Sequence, residues 1–276
     1  MDEVALLRFD GSLESTIKNG VEMVGGFPII TNPVLIKPNI CTNSDGTGHS
    51  VTDVKVVETL VNLILAENPK ASIKLVESDS QSKYTHDAFK KFGYTRLQEA
   101  KTGDGFDIDL VNLSDGPLVS VDVNGLHYDT VEVHEILTKP HHYISVAIAK
   151  THETAFLTST IKNHFGLLPK KSKAAYHSKI HEIVVDLNKI VPPDLCIIDG
   201  RVGVEGWNGP TTRNLGVFII GKNPVAVDAT VARVMGFEIN KIRHLVLAGE
   251  IGLGDLNPNI LGESIESVMM NFNAPR

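Results

Sequence analysis

The chain has 276 residues, of which 42% are hydrophobic and 21% charged, and its formal net charge is -7 at pH 7. This composition is typical of a soluble globular protein, and the negative charge disfavours nucleic-acid binding, which requires a basic surface against the phosphates. No apolar run approaches the ~18 to 20 residues that cross a bilayer, so the sequence predicts no membrane partner.

The N-terminal segment and the cysteines bear on the location of the protein. The segment MDEVALLRFDG has no basic region followed by an apolar core, so it is not expected to be a secretory signal, and we expect a cytoplasmic protein. Cys41 and Cys196 cannot form a disulfide framework, and no CxxC pair is present to hold zinc or an iron-sulfur cluster by thiolates alone. Cys196 lies in the apolar run LCII and is expected in the core, while Cys41 follows KPNI in a loop.

The first part of the chain alternates apolar strands with amphipathic helices. In order, we predict a strand at Val4–Phe9, a helix at Leu13–Val24, a strand at Val34–Ile36, a helix at Val54–Leu65, a strand at Ile73–Val76, a helix at Thr85–Phe92 and a strand at Ile108–Leu113. Parallel pairing needs such helical crossovers, and ligands in open α/β sheets bind outside the carboxyl ends of the strands. Lys37 and Asn39, directly after the second strand, are therefore candidate substrate-binding residues.

The hydrophobic period changes after residue 113. Apolar residues alternate with polar ones on both sides of the dipeptide Asn124-Gly125, at Val119, Val121, Val123, Leu126 and Tyr128. An Asn-Gly dipeptide between alternating runs is the strongest short-range hairpin signal. We predict an α/β fold with a mainly parallel sheet, flanking helices and an antiparallel hairpin insertion near residues 117–133. The chain is expected to be one α/β unit over residues 1–276, with a subdivision near 115–140 left open.

The second part of the chain returns to strands and helices. We predict a strand at Tyr143–Ala149, a short helix or compact loop up to Gly166, a helix at Ile180–Ile190, strands at Leu195–Ile198 and Val217–Ile220, a helix from Pro224 to Gly236, a helix near Ile239–Ala248 and a strand or helix near Ser264–Asn271. Asp228 lies within one of these apolar helices, where an unpaired carboxylate is costly, so we expect a lysine or a helix terminus as its partner.

Polar residues after the strand at Leu195–Ile198 form a second candidate wall of a site. Asp199 at the predicted strand exit and Glu205 in the glycine-rich loop that follows are candidate substrate-binding residues, with simple loop caps as the alternative. Trp207 in the same loop is either a ligand platform or a hydrophobic plug. The basic cluster Lys170, Lys171 and Lys173 favours a solvated loop over an anion-binding patch.

The candidate catalytic residues lie between Lys150 and His181. Eight of the eleven histidines fall between His127 and His181, and such clusters tend to mark sites. We assign catalytic roles to His152, Lys162 and Asn163, because a lysine near other cations has a lowered pKa and imidazole changes charge near neutrality. A structural alternative, in which Lys162 is solvated and the histidines are locally satisfied, predicts that these residues lie far apart.

Imidazole also binds metals, and His177 together with His152 is the candidate ligand pair for a divalent metal. His181 lies four residues after His177, so both could face one ion on a helix. Zinc-protease chemistry is excluded, since Glu182 follows the second histidine of the pair and not the first.

Several motifs together resemble the uncharacterised family named domain of unknown function 362. They are KPN at 37–39, KTH at 150–152, the run TSTIKNHFGLLP, His177, IDG at 198–200, EGWNGP and NPVAVDA, spread from about Pro33 to Gly254. Many members of that family carry a ferredoxin-like cysteine module, which two cysteines cannot provide, so no iron-sulfur cluster is expected.

The order of His152, Lys162 and His177 is also similar, more distantly, to that of the amino-terminal domain of the nickel-pincer lactate racemases. The similarity implies that Lys162 anchors a cofactor or binds an anionic substrate, that His177 binds metal and that His152 acts as acid or base. In this chain TSTIKN replaces the glycine-rich approach to the lysine.

Two functions are compatible with these residues. The first is an enzyme that acts on a small anionic or carbonyl substrate by proton transfer through His152 and Lys162, with a metal at His177. The second is a non-catalytic accessory protein that holds a metal or cofactor in the same pocket. A small-molecule ligand is the expected partner in both, while turnover and a homo-oligomeric state are left open by the sequence.

Overall fold

The computed structural model describes residues 1–28, 33–101, 108–209 and 211–275. Its strands and α-helices are, in chain order, β1 (Glu3–Arg8), α1 (Leu13–Met23), β2 (Val34–Pro38), α2 (Val54–Glu67), β3 (Ile73–Glu77), α3 (Thr85–Lys91), α4 (Thr95–Lys101), β4 (Ile108–Asn112), β5 (Leu118–Asp122), β6 (Thr130–His134), β7 (His142–His152), β8 (Phe156–Thr158), α5 (Thr160–Asn163), α6 (Ile180–Ile190), β9 (Leu195–Glu205), β10 (Thr211–Arg213), β11 (Val217–Gly221), α7 (Pro224–Val234), α8 (Arg243–Glu250), β12 (Asn259–Gly262) and α9 (Ile265–Val268). Short 3-10 helices span Glu135–Leu137, His164–Leu167, Lys173–Lys179 and Ile239–Lys241.

One large mixed sheet organises the described part of the chain. Its main path runs β12-β1-β11-β9-β7-β2-β3-β4, while β8 and β10 pair with the ends of β7 and β9. Strands β9, β7, β2, β3 and β4 are parallel neighbours, and β11 is antiparallel to both β9 and β1. The predicted mainly parallel α/β fold is therefore confirmed.

Helices bury both faces of this sheet. Leu35 of β2 belongs to a core shared with α6, α7 and α8, whereas its neighbour Ile36 belongs to a second core shared with α1 and α2. Successive residues of a strand point to opposite faces, so a strand covered on both sides must be apolar at every position. This is why the central strands appear in the sequence as continuous apolar runs.

The chain changes direction along the sheet at β2 and β7. It leaves β2 through α2 toward β3, and leaves β7 through α5 and α6 toward β9, although β2 and β7 are hydrogen-bonded parallel neighbours. The carboxyl ends of two such strands leave a crevice between the diverging connections, which is where open α/β sheets bind ligands. Lys37 at the end of β2 and His152 at the end of β7 lie at this crevice.

Local capping explains several helix starts that the sequence predicts. The Ser12 hydroxyl accepts a hydrogen bond from the Ser15 N–H at 3.2 Å at the start of α1, and the Asp53 carboxylate accepts from the Lys55 N–H at 2.9 Å at the start of α2. Helix α6 has the predicted bounds, while the segment near residue 264 forms the short helix α9 and not a strand. Strand β12 has no clear sequence signal and was not predicted.

Strand β9 is longer than predicted, which moves Asp199 from a strand exit into a strand. It continues past residue 199 because β11 pairs with its first half, up to Gly200, and β10 pairs with residues 203–205. The glycine-rich sequence that suggested a loop is therefore largely a strand ending at Glu205.

The antiparallel hairpin is confirmed, but its turn differs from the predicted two-residue turn. Strands β5 and β6 are joined by residues 123–129, because the buried Asp186 carboxylate of α6 accepts hydrogen bonds from the N–H groups of Leu126, His127 and Tyr128 at 2.6, 2.8 and 2.9 Å. These N–H groups are consequently unavailable for strand pairing. Leu126 and Tyr128 are loop residues, contrary to the prediction.

Replacing Asp186 by alanine is expected to lower the free energy of unfolding by about 2 kcal/mol, because three N–H groups lose a charged acceptor. Urea denaturation measures the loss, and hydrogen exchange should be faster at the amides of residues 126–128. The exposed Asp122 on β5 is the matched control, whose change to alanine should cost no more than about 0.5 kcal/mol. Unchanged exchange at the three amides would show that Asp186 does not hold the loop.

Candidate functional site

A cavity of about 610 Å³ opens at the carboxyl ends of β2, β3 and β7. Such a volume suits a small-molecule ligand. The predicted site residues that line it are Lys37, Asn39, His152, Lys162, Asn163 and His177. The structural alternative, which placed the lysine and histidines far apart, is wrong.

Asp199 and Glu205, predicted to bind substrate, are not among the described residues that line this cavity. The Asp199 carboxylate accepts hydrogen bonds from the Arg201 guanidinium at 2.9 and 2.7 Å, and the Glu205 carboxylate accepts from Arg213 at 2.7 Å. Both acids are held by arginines beside them on the extended β9 ladder, so they act as ion-pair partners there. Pro210, the last residue of the predicted glycine-rich wall, lies outside the described residues.

Glu77 is a buried charged group of the cavity that follows the predicted strand Ile73–Val76 and was not marked as functional from the sequence. Its carboxylate pairs with the Lys37 ammonium through Oε1 and with the Lys83 ammonium through Oε2, the latter at 2.7 Å. Burial alone raises the pKa of Glu77, but the ammonium groups of Lys37, Lys83 and Lys173 outweigh it and hold the pKa at about 2. Glu77 is therefore ionised at any physiological pH.

Lys173 belongs to this buried cluster, which corrects the prediction of a solvated loop. Its side chain is only 5% exposed, and its ammonium donates a hydrogen bond to Ser78 Oγ. By contrast, Lys170 pairs with Glu132 at the surface and Lys171 lies over the Tyr84 ring, 3.5 Å from its centroid. Burial lowers the pKa of Lys173 well below its ordinary value.

Lys37 completes the cluster and is fully engaged. Besides Glu77, its ammonium donates to the Pro38 carbonyl at 3.1 Å and to Asn163 Oδ1 at 3.3 Å. Gly166 leaves room for it, because a Cβ there would lie 2.5 Å from Lys37 Nζ. Burial lowers the pKa of Lys37.

Asn163 positions the residues around it. Its amide nitrogen donates to the Lys37 carbonyl at 3.1 Å and to Ser145 Oγ at 3.0 Å, while its oxygen accepts from Asn39 Nδ2 at 3.4 Å. With both ends of the amide bound to the protein, Asn163 fixes the β2 exit. Asn39 keeps a buried side-chain oxygen without a partner among the described residues, which leaves an acceptor for a ligand.

Lys162 is a further lysine that lines the cavity. Its Nζ makes no hydrogen bond or ion pair with any residue that the structure describes, and it lies 5.7 Å from the Phe165 ring centroid. Burial, followed by the charges of Lys150 and Lys37, lowers the pKa of Lys162 to about 7. Near neutral pH this amine can therefore be either a base or an acid.

A buried carboxylate fixes the segment that carries Lys162 and Asn163. The Asp228 carboxylate accepts hydrogen bonds from the N–H groups of Thr160 and Ile161 at 2.8 and 3.0 Å, at the start of α5. A helix terminus is thus the partner of Asp228, one of the two predicted. Burial raises the pKa of Asp228 to about 6.

His152 is a neutral hydrogen-bond donor in this setting. Its Nδ1 accepts from the N–H groups of Thr154 and Ala155 at 3.1 and 3.2 Å, so the ring proton of the neutral form sits on Nε2. Burial and the nearby Lys162 ammonium lower the pKa of His152 far below its ordinary value. His152 can therefore donate a hydrogen bond at neutral pH without carrying a charge.

His177 lies beside His152, with ring centroids 6.1 Å apart, and stacks on Phe165 at 5.8 Å. Burial, and then Lys162, lower the pKa of His177. His181, which the sequence allowed to face one ion together with His177, instead approaches the buried His244, with Nδ1 atoms 3.4 Å apart. His177 and His181 therefore have different neighbours.

A divalent metal at His152 and His177 would find few ligands. Among the described residues, no group of three or more His, Cys, Asp or Glu side chains is placed to hold a metal ion. His152 offers only Nε2, and the Lys162 ammonium repels a cation whenever it is protonated. Zinc sites use at least three protein ligands, so these residues do not fit a metal site built by this chain alone.

Lys150 joins two loops at the rim of the cavity. Its buried ammonium donates to the carbonyls of Ser50 and Trp207 at 3.1 and 2.9 Å and lies 3.2 Å from Cys41 Sγ. Cys41 and Trp207 both line the cavity, and Trp207 is 37% exposed. Trp207 can thus contact a ligand at the opening.

A comparison with protein-family models confirms the family resemblance drawn from the sequence. A family model described as "Domain of unknown function (DUF362)" matches residues 34–233. Thylakoid-associated protein sll1697 of Synechocystis sp. is 25% identical over 293 residues, covering 99% of this chain and 87% of that protein. The lactate racemase apoprotein from Thermoanaerobacterium thermosaccharolyticum matches with a TM-score of 0.46 and 14% identity, over 74% of this chain and 51% of that one. The chain thus spans about half the length of the racemase.

Two expectations concern membranes and location. Within the described residues, no helix is both long and apolar enough to cross a membrane. The predicted cytoplasmic location stays a prediction, because the name of the Synechocystis relative associates that protein with thylakoids.

Proposed function

The chain belongs to the DUF362 family, and we propose that its cavity is the active site of an enzyme that moves a proton at a carbon atom next to the carbonyl group of a small anionic substrate. The observation that carries the proposal is that Lys162, whose amine has no partner among the described residues, lines the same cavity as the neutral His152. Burial lowers the pKa of Lys162 to about 7. A general base works best when its pKa is near the operating pH.

The proposed step uses these two residues in complementary roles. The neutral Lys162 amine takes the proton from the carbon, and the electron pair of the C–H bond moves toward the carbonyl oxygen. The Nε2–H group of His152 donates a hydrogen bond to that oxygen as its negative charge develops. The ammonium formed on Lys162 then returns the proton, so no oxidant or reductant is required.

The remaining charges favour an anionic substrate. Lys37, Lys83 and Lys173 line the cavity together, and of the described carboxylates only Glu77 pairs with them. This positive surplus attracts an anion and disfavours a free cation. No metal takes part in the proposed step.

Hydrogen exchange tests the proposal. Proton NMR in D2O should show exchange of the C–H proton next to the carbonyl in at least one member of a panel of small 2-oxo acids and their phosphorylated analogues. Lys162→Ala should abolish that exchange. Lys171→Ala changes an exposed lysine that is not among the residues lining the cavity, and it should leave the exchange intact. Equal exchange by the wild type and Lys162→Ala, or none in the panel above the protein-free rate, contradicts the proposal.

The alternative is an accessory protein that holds a metal or cofactor without turnover, with the imidazoles of His152 and His177 in one cavity and the further ligands that a metal needs supplied from outside the described residues. It predicts tightly held stoichiometric metal in protein purified without an affinity tag, lost in His177→Ala, and no exchange with any substrate. Metal analysis of the two proteins decides between the alternatives.

A further inference from the structure

The inner end of the cavity contains more buried positive charge than its single carboxylate neutralises. Three lysines surround Glu77 and Ser78, and each is no more than 5% exposed: Lys37, Lys83 and Lys173. Only Glu77 forms ion pairs with them in the described part of the chain. Buried charges are normally paired, so this end of the cavity has a surplus of about two positive charges when all three lysines are protonated.

The unused hydrogen-bond donors of the three lysines can be counted, because each ammonium group has three N–H groups. Lys37 uses all three, on Glu77, Pro38 and Asn163. Lys83 uses two, on Glu77 and on the Ser78 carbonyl at 2.5 Å, and Lys173 uses one, on Ser78 Oγ. Among the described residues, Lys83 therefore keeps one unused N–H donor and Lys173 keeps two.

The side chains around Lys83 and Lys173 are themselves fixed. Ser78 Oγ donates to the Gly166 carbonyl at 2.5 Å while it accepts from the Lys173 ammonium. The main-chain N–H of Lys173 donates to Gln81 Oε1 at 3.1 Å. The donors are thus held in place before any ligand arrives, which reduces the entropic cost of binding.

We propose that Lys83 and Lys173 form a subsite for the phosphate group of a phosphate monoester, whose carbonyl end reaches Lys162. A phosphate monoester carries about -1.5 to -2 charges at pH 7 and offers three acceptor oxygens, which matches both the charge surplus and the three unused N–H groups. A carboxylate would neutralise only half of that surplus. The identity of the substrate's reactive end rests on the proposed function, whereas phosphate binding does not.

Titration of the full chain with inorganic phosphate tests the subsite, followed by calorimetry and by 31P NMR. The wild type should bind one phosphate per chain, more tightly than it binds acetate at equal ionic strength. Lys173→Gln should weaken phosphate binding at least about tenfold, because a charged hydrogen-bond donor is lost. Lys171→Gln, two residues away at the surface, should bind phosphate as the wild type does.

Two further variants distinguish failure of the phosphate subsite from failure of the proposed function. Lys83→Gln should also weaken phosphate binding, and unchanged thermal unfolding of at least one of the two glutamine variants establishes that the loss is local. Lys162→Ala should still bind phosphate, because Lys162 is not part of the subsite. If the wild type binds phosphate but exchanges no substrate hydrogen, the proposed function is contradicted and the subsite is retained. No saturable binding to the wild type, equal affinity for acetate, or wild-type affinity in Lys173→Gln overturns the subsite.

Discussion

Replacing Glu77 by glutamine is expected to lower the free energy of unfolding by about 3 to 5 kcal/mol, the usual cost of removing one partner from a buried ion pair. Glutamine has nearly the same shape as glutamate, so the loss comes from the charge. Lys37 and Lys83 would be left buried without a counter-ion, next to Lys173. Urea denaturation at pH 7 measures the difference.

The pH dependence of wild-type stability provides an independent measure of the same interaction. The pKa of Glu77 falls from 4.5 to about 2 on folding, so its contribution is present above pH 4.5 and is lost as the pH falls toward 2. At 1.36 kcal/mol for each pKa unit, the contribution is about 3 kcal/mol. This loss between pH 4.5 and 2 should be missing in Glu77→Gln.

The variant should also recover stability at high pH. Burial lowers the pKa of Lys37 and of Lys173, and without Glu77 these two lysines give up their protons still more easily in the folded protein than in the unfolded chain, so stability rises as the pH approaches 10. Glu153, an exposed carboxylate that lines the same cavity, is the control, and Glu153→Gln should stay within about 0.5 kcal/mol of the wild type. Equal effects of the two substitutions would mean that Glu77 does not neutralise the lysines.

The sequence could predict the part of the site that depends on local pattern and on strand direction. Apolar runs followed by polar residues predict strand exits, and the parallel arrangement brings these exits to one edge of the sheet. This argument alone predicts that Lys37 and Asn39, after one strand, lie at the same edge of the sheet as His152, after another. Lys162 and Asn163 were identified from the composition of the histidine-rich stretch between Lys150 and His181, and the structure places them at the same cavity.

The buried lysine cluster could not be predicted in this way, because its partners are distant in the sequence. Lys37 and Glu77 are 40 residues apart, and Lys173 and Ser78 are 95 apart. Within the stretch KKSK, Lys173 has the same local composition as the exposed Lys171. Burial of one and not the other is decided by tertiary contacts, which single-sequence reasoning does not contain.

Asp199 is the opposite case, in which the local sequence predicts the end of a strand but pairing with other strands extends it. An aspartate followed by glycine after an apolar run usually ends a strand. Here β11 pairs with β9 up to Gly200 and β10 pairs with residues 203–205 beyond it, so β9 continues to Glu205. The acids then meet Arg201 and Arg213 instead of the cavity.

Replacing Lys162 by methionine is expected to slow substrate hydrogen exchange by about 10²- to 10⁴-fold, the usual contribution of a general base. The same substitution should raise the free energy of unfolding. Burial of Lys162 without a partner lowers its pKa from 10.5 to about 7, so the folded protein holds this proton less tightly than the unfolded chain does. Wild-type stability therefore rises between pH 7 and 10.5, and the gain from methionine is largest near or below pH 7 and vanishes above 10.5.

A simultaneous loss of activity and gain of stability distinguishes a catalytic amine from a structural one. Exchange by the wild type should increase as the pH passes about 7, because the neutral amine is the base, and Lys162→Met should lack this increase. NMR exchange rates and urea denaturation on the same samples measure both effects, with Lys171→Met as the control that changes neither. If Lys162→Met lost activity and stability together, the lysine would be holding the fold, and His152 would have to act without it. A half-buried amine without a partner among the described residues costs stability, which is expected where the amine is needed for function.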